Sequence, residues 1–486
     1  MSVNLAGAVS AYTIADHVDL SLTTTGGAGA ILLAVYTDDS TGSAAPTAAG
    51  LTDPAAFVSI LVRSLLDIYP RERTMNEAAT DGHPLRCTQD GAMPIVLAEE
   101  LEADPHTVCA RYRTLSPVVA RSTGGFVVLG AAEIDALLKD DRLCSTKTAA
   151  IRAKGITDGP LWEFYKLSMQ VWDDPEHRKR RAPFTRTFAL RLIEQTRPMI
   201  RALAHRLIDN WIQGRPVDFV DGFAKQIPAL TIAHILGMPE EDVPHFTTLS
   251  YEAARVTGFN WGPEDLPLMQ ESCRQMVSSV QQMLMDRRNR PREDFLSRYL
   301  AEIEIKADGL SAEEAVTQIV LLIVAGTETT RFAEAVLVSL LMQHRSQWDA
   351  ICRNPELAPR AVREALRFEP SAGTIVRVSA EPVAIGGHVV PAGQLILLSL
   401  LSAARDERVY QRPGEFDIMR EDLPRTNISF GGGMHRCLGE SLALAELEES
   451  LIALTQRIPQ LRLAGAQPQI RGHSGVRRIE GMQVVW

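Results

Sequence analysis

A chain of 486 residues, 45% hydrophobic and 23% charged, has the composition of a globular protein, which argues against a mainly disordered or fibrous one. The length allows one large domain or about three of ordinary size. The formal charge of −10 is unevenly spread: residues 1–92 hold ten acids against four bases and carry −6, and the remaining body at −4 offers no broadly basic surface for nucleic acid.

In chain order, the first apolar run, Ala28 to Tyr36, is too short to cross a bilayer and has no positive residue before it. It reads neither as a membrane anchor nor as a signal peptide, and the protein reads as cytoplasmic. Thr37 to Leu51 has linker composition. Asp53 as a cap and Pro54 at the first helical position introduce an apolar helix, Ala55 to Tyr69, that Pro70 stops. Asn76 to Gly91 then carries the breakers Asp81-Gly82, His83-Pro84 and Asp90-Gly91. Residues 1–92 are expected to be an N-terminal extension, largely flexible with one helix near 54–69, or else to lie upstream of a later start at Met75 or Met93. The main domain is expected over 93–486.

Beyond Met93 apolar residues recur at three- and four-residue spacing over Ala182 to Trp211, Ala224 to Leu236, Pro267 to Arg287, Ser311 to Gln343, Pro359 to Phe368 and Leu438 to Ile458, which predicts helices. Strand patterns are shorter: Val383 to Val390 around Gly386-Gly387, Gln394 to Leu400, and Met482 to Trp486. The fold class is therefore mainly α with small β-sheets, and the irregular order of helices and strands disfavours a doubly wound fold. Six cysteines are scattered without a CxxC pair, so neither a disulfide framework nor a structural zinc site is indicated.

Cys437 stands apart. It follows Phe430-Gly431-Gly432-Gly433-Met434-His435-Arg436 and precedes Leu438-Gly439 and a long apolar helix. Glycines there let the backbone turn tightly and approach a flat ligand, and a helix start, exposed N–H groups or a metal can turn the thiol into a thiolate suited to iron. A lone cysteine is more often a small buried hydrophobe, and the surrounding frame is what reverses that reading.

The frame Phe430-x-x-Gly433-x-x-x-Cys437-x-Gly439 resembles the haem-ligand signature of the cytochrome P-450 superfamily, and the resemblance extends over about residues 94 to 486. It implies the cytochrome P-450 fold and a haem-thiolate monooxygenase of the soluble bacterial type, with haem b (iron protoporphyrin IX) ligated axially by the Cys437 thiolate. Phe430, Gly433 and Gly439 would be the cofactor-binding residues of the signature. Ala325-Gly326-Thr327-Glu328-Thr329-Thr330, half-way along the longest predicted helix, resembles the family's oxygen-binding groove, in which Glu328 and Thr329 would relay protons. Glu364-x-x-Arg367 with Phe416-Asp417-x-x-Arg420 resembles the family's buried ion network, although the same spacing occurs by chance at Glu252/Arg255, Glu271/Arg274 and Glu328/Arg331. His177, Arg181, Arg377 and His435 match positions where the family places partners for the haem propionates.

The resemblance further implies a small apolar substrate (terpenoid, steroid-like or aromatic) and O2, with electrons from a ferredoxin and ferredoxin reductase, so that NAD(P)H is used only indirectly. It implies a monomer with no membrane anchor and no nucleic-acid partner. The basic run His177 to Arg181 would steer an acidic electron donor. Ile323, Ala325, Gly326, Ala372 to Val376 and His473 to Val476 would line the substrate pocket, under a lid at 240–270. A peroxide-driven haem enzyme and a non-catalytic haem sensor are the alternatives.

Overall fold

The computed structural model describes Ser10–Ala15, Val18–Thr25, Ala30–Thr37 and residues 93–486 apart from 189, 258–260, 305–308, 425 and 480. The first three segments are strands β1 (Ser10–Ala15), β2 (Val18–Thr25) and β3 (Ala30–Thr37), an antiparallel meander in which Leu20 stands opposite both Tyr12 and Val35. The sequence reading places no strand here. Dense Thr, Val, Leu and Ile suit a pleated sheet, and partners this close in sequence pair at low entropic cost. The expected linker beyond Thr37 and the expected helix near 54–69 lie outside the described residues.

From residue 93 onward the body is helical. The helices that position the site are α1 (Pro105–Arg113), α2 (Glu176–Thr187), α3 (Leu190–Asp209), α4 (Gln226–Leu236), α5 (Val243–Ala254), α6 (Leu266–Asn289), α7 (Ala312–Gln343), α8 (Ala358–Phe368) and α9 (Glu440–Arg457). The single helix expected over 182–211 is in fact two, parted at Phe188, whose ψ of 46° ends α2. The physical reason is packing: α2 lies on the helix Phe295–Glu304 while α3 lies along α9, and one straight axis cannot serve both partners.

Helix α7 is the axle. Ser311 and Glu314 close its N-terminus in a reciprocal capping box, and its side chains are buried around most of its length, against α4, α5, α6, α8 and α9. Such all-round burial explains why its apolar pattern is nearly continuous. Beside this body lies a sheet of β4 (Ile95–Val96), β5 (Val118–Arg121), β6 (Phe126–Val128), β7 (Leu143–Cys144), β8 (Thr374–Ser379) and β9 (Leu395–Ser399), in the spatial order β4-β5-β6-β9-β8-β7. Strand β9 runs parallel to β6 and antiparallel to β8, bringing Arg377 opposite Ile396. The expected hairpin is Val383–Ile385 with His388–Val390, turning on Gly386 and Gly387, both at positive φ.

Candidate active site

The glycine turn is set by contacts that admit no side chain. Gly431 and Gly433 have φ of 69° and 62°, and a Cβ at Gly433 would stand 2.1 Å from the Leu138 carbonyl oxygen. Gly433 is thus fixed by the backbone beside it. A Cβ at Gly439 would stand 4.0 Å from Cys437 Sγ, in ordinary contact. The Cys437 N–H donates to the Phe430 carbonyl at 2.9 Å, closing the loop, and Phe430 packs on the helical core.

Helix α9 begins at Glu440, later than the expected Leu438, with Gly439 as its cap. Cys437 therefore precedes the first helical turn, and the helix does not make it a permanent anion. Burial pushes its thiol up, and the Gly439 N–H, Arg181 and Arg436 oppose that only in part. A bound metal cation would oppose that shift and favour the thiolate.

Cys437 is nevertheless accessible, as is Ala325 at the middle of α7, with Gly326, Glu328 and Thr329 half-buried around it. Exposure half-way along a helix that is otherwise buried requires an internal cleft on that face. Thr329 Oγ1 donates to the Ala325 carbonyl at 2.8 Å, and Thr327 Oγ1 donates to the Ile323 carbonyl at 3.0 Å and meets Ser250 Oγ of α5 at 3.1 Å. The helix stays α-helical throughout, since these hydroxyls satisfy themselves against the preceding turn. Glu328 is gripped by both Nε and Nη2 of Arg331, one of the spacings that looked accidental in the sequence. Ser250 and Arg331 were not singled out there, although Arg331 stands at the i+3 position where an ion pair is expected.

His177 and His435 come together with ring centres 4.3 Å apart, and Arg181 Nη2 donates to the Arg436 carbonyl at 2.7 Å. His435 Nε2 lies 3.0 Å from Ser145 Oγ and 3.4 Å from Asp173, whose two oxygens accept the Ser145 N–H. Burial holds His435 down to about 4, with Arg377 and His177 adding to the effect. Arg377 is 9% exposed, its hydrogen bond goes to the neighbouring Val376 carbonyl, and Asp173 acts on it only at longer range. A buried guanidinium without a bonded carboxylate is costly, and an anionic cofactor edge would relieve it. That is the observation by which the residues present fit a haem. Asp173 and Ser145 carried no sequence signal beyond their types.

The ion network is complete. Glu364 and Arg367, 0% and 1% exposed, make two bonds of 2.7 Å; Arg420 reaches the same carboxylate at 3.3 Å, and Arg367 also donates to the carbonyls of Ala404, Pro413 and Glu415. Two pocket-lining expectations change. His473 is fully buried with Nε2 3.1 Å from Ser399 Oγ, turned into the sheet, and Ile323 is buried too. Ser474 to Val476 remain half-buried, held by the Gly373 N–H on the Gly475 carbonyl at 2.8 Å. In the basic run, Arg178 pairs with Asp174, and Lys179 and Arg180 both pair with Glu314, so much of that charge is neutralised; a surface groove of ≈ 400 Å³ remains beside His177, Arg181 and Met434.

Comparison with known proteins gives one answer. Residues 267–459 match the family model described as Cytochrome P450. "Cytochrome P450-pinF1, plant-inducible" of Rhizobium radiobacter is 36% identical over 393 residues, 81% of this chain and 92% of that one. "Biotin biosynthesis cytochrome P450" of Bacillus subtilis is 30% identical over 80% of this chain and 98% of that one. Among solved structures, P450BioI in complex with hexadec-9Z-enoic acid ligated acyl carrier protein superposes with a TM-score of 0.72 at 29% identity, covering 80% of this chain and all of that one.

Proposed function

The chain belongs to the cytochrome P450 family as a monooxygenase, and from that we propose that it inserts one atom of O2 into a small apolar organic molecule, of terpenoid, steroid-like or aromatic type. Electrons come from a separate ferredoxin and its NAD(P)H-dependent reductase. Haem b would be held by Cys437 through iron, by Arg377, His435, His177 and Arg181 at its propionates, and against Phe430 and the Gly431 to Gly433 turn. When bound, the haem supplies the activation of dioxygen. The protein residues supply position and protons. Thr329 lies half-buried beside the exposed Ala325, and its hydroxyl can exchange the Ala325 carbonyl for a ligand in the cleft. Glu328 joins the relay by opening its pair with Arg331. No described helix is long and apolar enough to cross a membrane.

The observation that carries the reading is the accessible Cys437 in its closed glycine turn, with the uncompensated Arg377 in the same site. The test is the spectrum of the reduced, CO-bound protein. A thiolate-type Soret band is expected for the wild type and its loss is expected in Cys437→Ser; a wild type without that band or without haem refutes the proposal.

A further inference from the structure

The carbonyl of Thr329 accepts a hydrogen bond from outside its own helix. Ser371 Oγ, in the connection between α8 and β8, donates to it at 2.9 Å across 42 residues of chain. A carbonyl inside a continuous helix already serves the N–H four residues on, and hydroxyls on a helix ordinarily bond the preceding turn, as those of Thr327 and Thr329 do. The Ser371 bond is therefore an addition to α7, taken on the second lone pair of the carbonyl.

Ser371 is itself held fast. Its carbonyl accepts the Arg477 N–H at 2.8 Å, Ala372 bridges Val476, and the Gly373 carbonyl accepts the Leu400 N–H at 2.9 Å. A Cβ at Gly373 would stand 2.1 Å from the His473 carbonyl oxygen, so the two segments meet backbone to backbone. Arg477 binds Glu369, which also binds His106 and Arg405. The Arg477 guanidinium lies 5.6 Å from the centre of the Phe332 ring, one turn beyond Thr329 on the same face of α7.

We propose that Ser371 is a positioning residue that sets the rotation of the Thr329 turn and thereby the aim of the Thr329 hydroxyl into the cleft, an inference that rests on the relay proposed above. Thr327, bonded to Ser250, stands about 200° around α7 from Thr329, so the turn is gripped from opposite sides, by α5 and by the connection into β8. The grip matters because the Thr329 hydroxyl has a competing acceptor in the Ala325 carbonyl, and a functional side chain has to be held within about 0.5 Å of its productive geometry. The same connection runs on through β8 to Arg377, so one rigid piece of backbone places both the relay turn and the uncompensated cation.

The probe is carbon monoxide on the reduced holoenzyme, whose infrared C–O band reads the polar groups facing the bound gas. Thr329→Val removes the hydroxyl and marks the band position without it. The proposal expects Ser371→Ala to move the wild-type band toward that position with the Soret band in place, and Ser371→Thr, which keeps the donor, to restore it. Amide exchange over residues 329–336, followed by mass spectrometry, should quicken about fivefold in Ser371→Ala and not in Ser371→Thr, the worth of one net hydrogen bond. Ser371→Cys, similar in shape with a weaker donor, takes the place of Ser371→Ala if that variant does not fold. A Ser371→Ala band that coincides with the wild type while Thr329→Val shifts overturns the proposal. A band that Thr329→Val does not move overturns the relay reading, and this proposal falls with it.

Discussion

Two clusters of buried charge in this molecule differ in one respect. Around Glu364 every group is answered from within the chain: a carboxylate meets two guanidiniums, and the remaining N–H groups meet carbonyls. Around Cys437 one charge is left without a bonded carboxylate, the buried Arg377, beside a thiol raised by burial and a histidine pair held low. Removing a partner from the first cluster strands a buried charge, whereas in the second Arg377 has no bonded carboxylate to lose. Completed charge marks a structural core, and uncompensated charge beside a cleft marks a site.

The contrast can be broken most forcefully at Glu364. Glu364→Gln leaves the buried Arg367 without a carboxylate and takes one of two from Arg420, which keeps Asp422, and is expected to cost about 3–5 kcal/mol, read as a loss of folded, soluble protein and a lower unfolding midpoint. A loss within about 1 kcal/mol, the worth of an exposed pair, would place this network with the surface bridges. At the cleft, Thr329→Ala touches no ion network. It should leave unfolding and the CO spectrum unchanged while coupled product formation falls by about 10²-fold in favour of hydrogen peroxide, measured as product and peroxide per NAD(P)H. Unchanged coupling removes Thr329 from the relay.

Arg377→Met tests the uncompensated side directly. The haem-free protein should be no less stable, because a stranded cation has gone, while haem retention weakens by about 1.5–3 kcal/mol per lost charge-assisted bond, measured by transfer to a haem scavenger. The smallest effect concerns His473, which burial holds down to about 4. The unfolded chain takes up this proton first, so the folded state loses stability as pH falls from about 7 to 4, and His473→Gln should flatten that limb of the unfolding profile.

Most of the helical architecture was legible because burial writes a period of 3.6 into the sequence: the expected helices over 311–343, 267–287 and 359–368 match α7, α6 and α8 within two residues at each end. Cys437, Glu328, Thr329, His177 and His435 were named from the family resemblance that their surrounding motifs carry. The break at Phe188 was not legible, since periodicity continues through it and only the two packing partners differ. Asp173, Ser145 and Ser250 were missed for a related reason. Each acts on a residue from another part of the chain, and a polar residue in a loop or helix carries no mark of the partner it will meet.

By itself the sequence determined the helical class, the glycine turn that offers Cys437, and the acid and alcohol at the middle of the longest helix, because local backbone preference and hydrophobic period act over a few residues. The tertiary structure alone decided which charges are satisfied. It joined Arg420 to Glu364 across 56 residues, tied Glu328 to Arg331, turned His473 away from the cleft and left Arg377 without a bonded countercharge. The physical reason is that burial and pairing are properties of the space between elements, and that space exists only after the chain has packed.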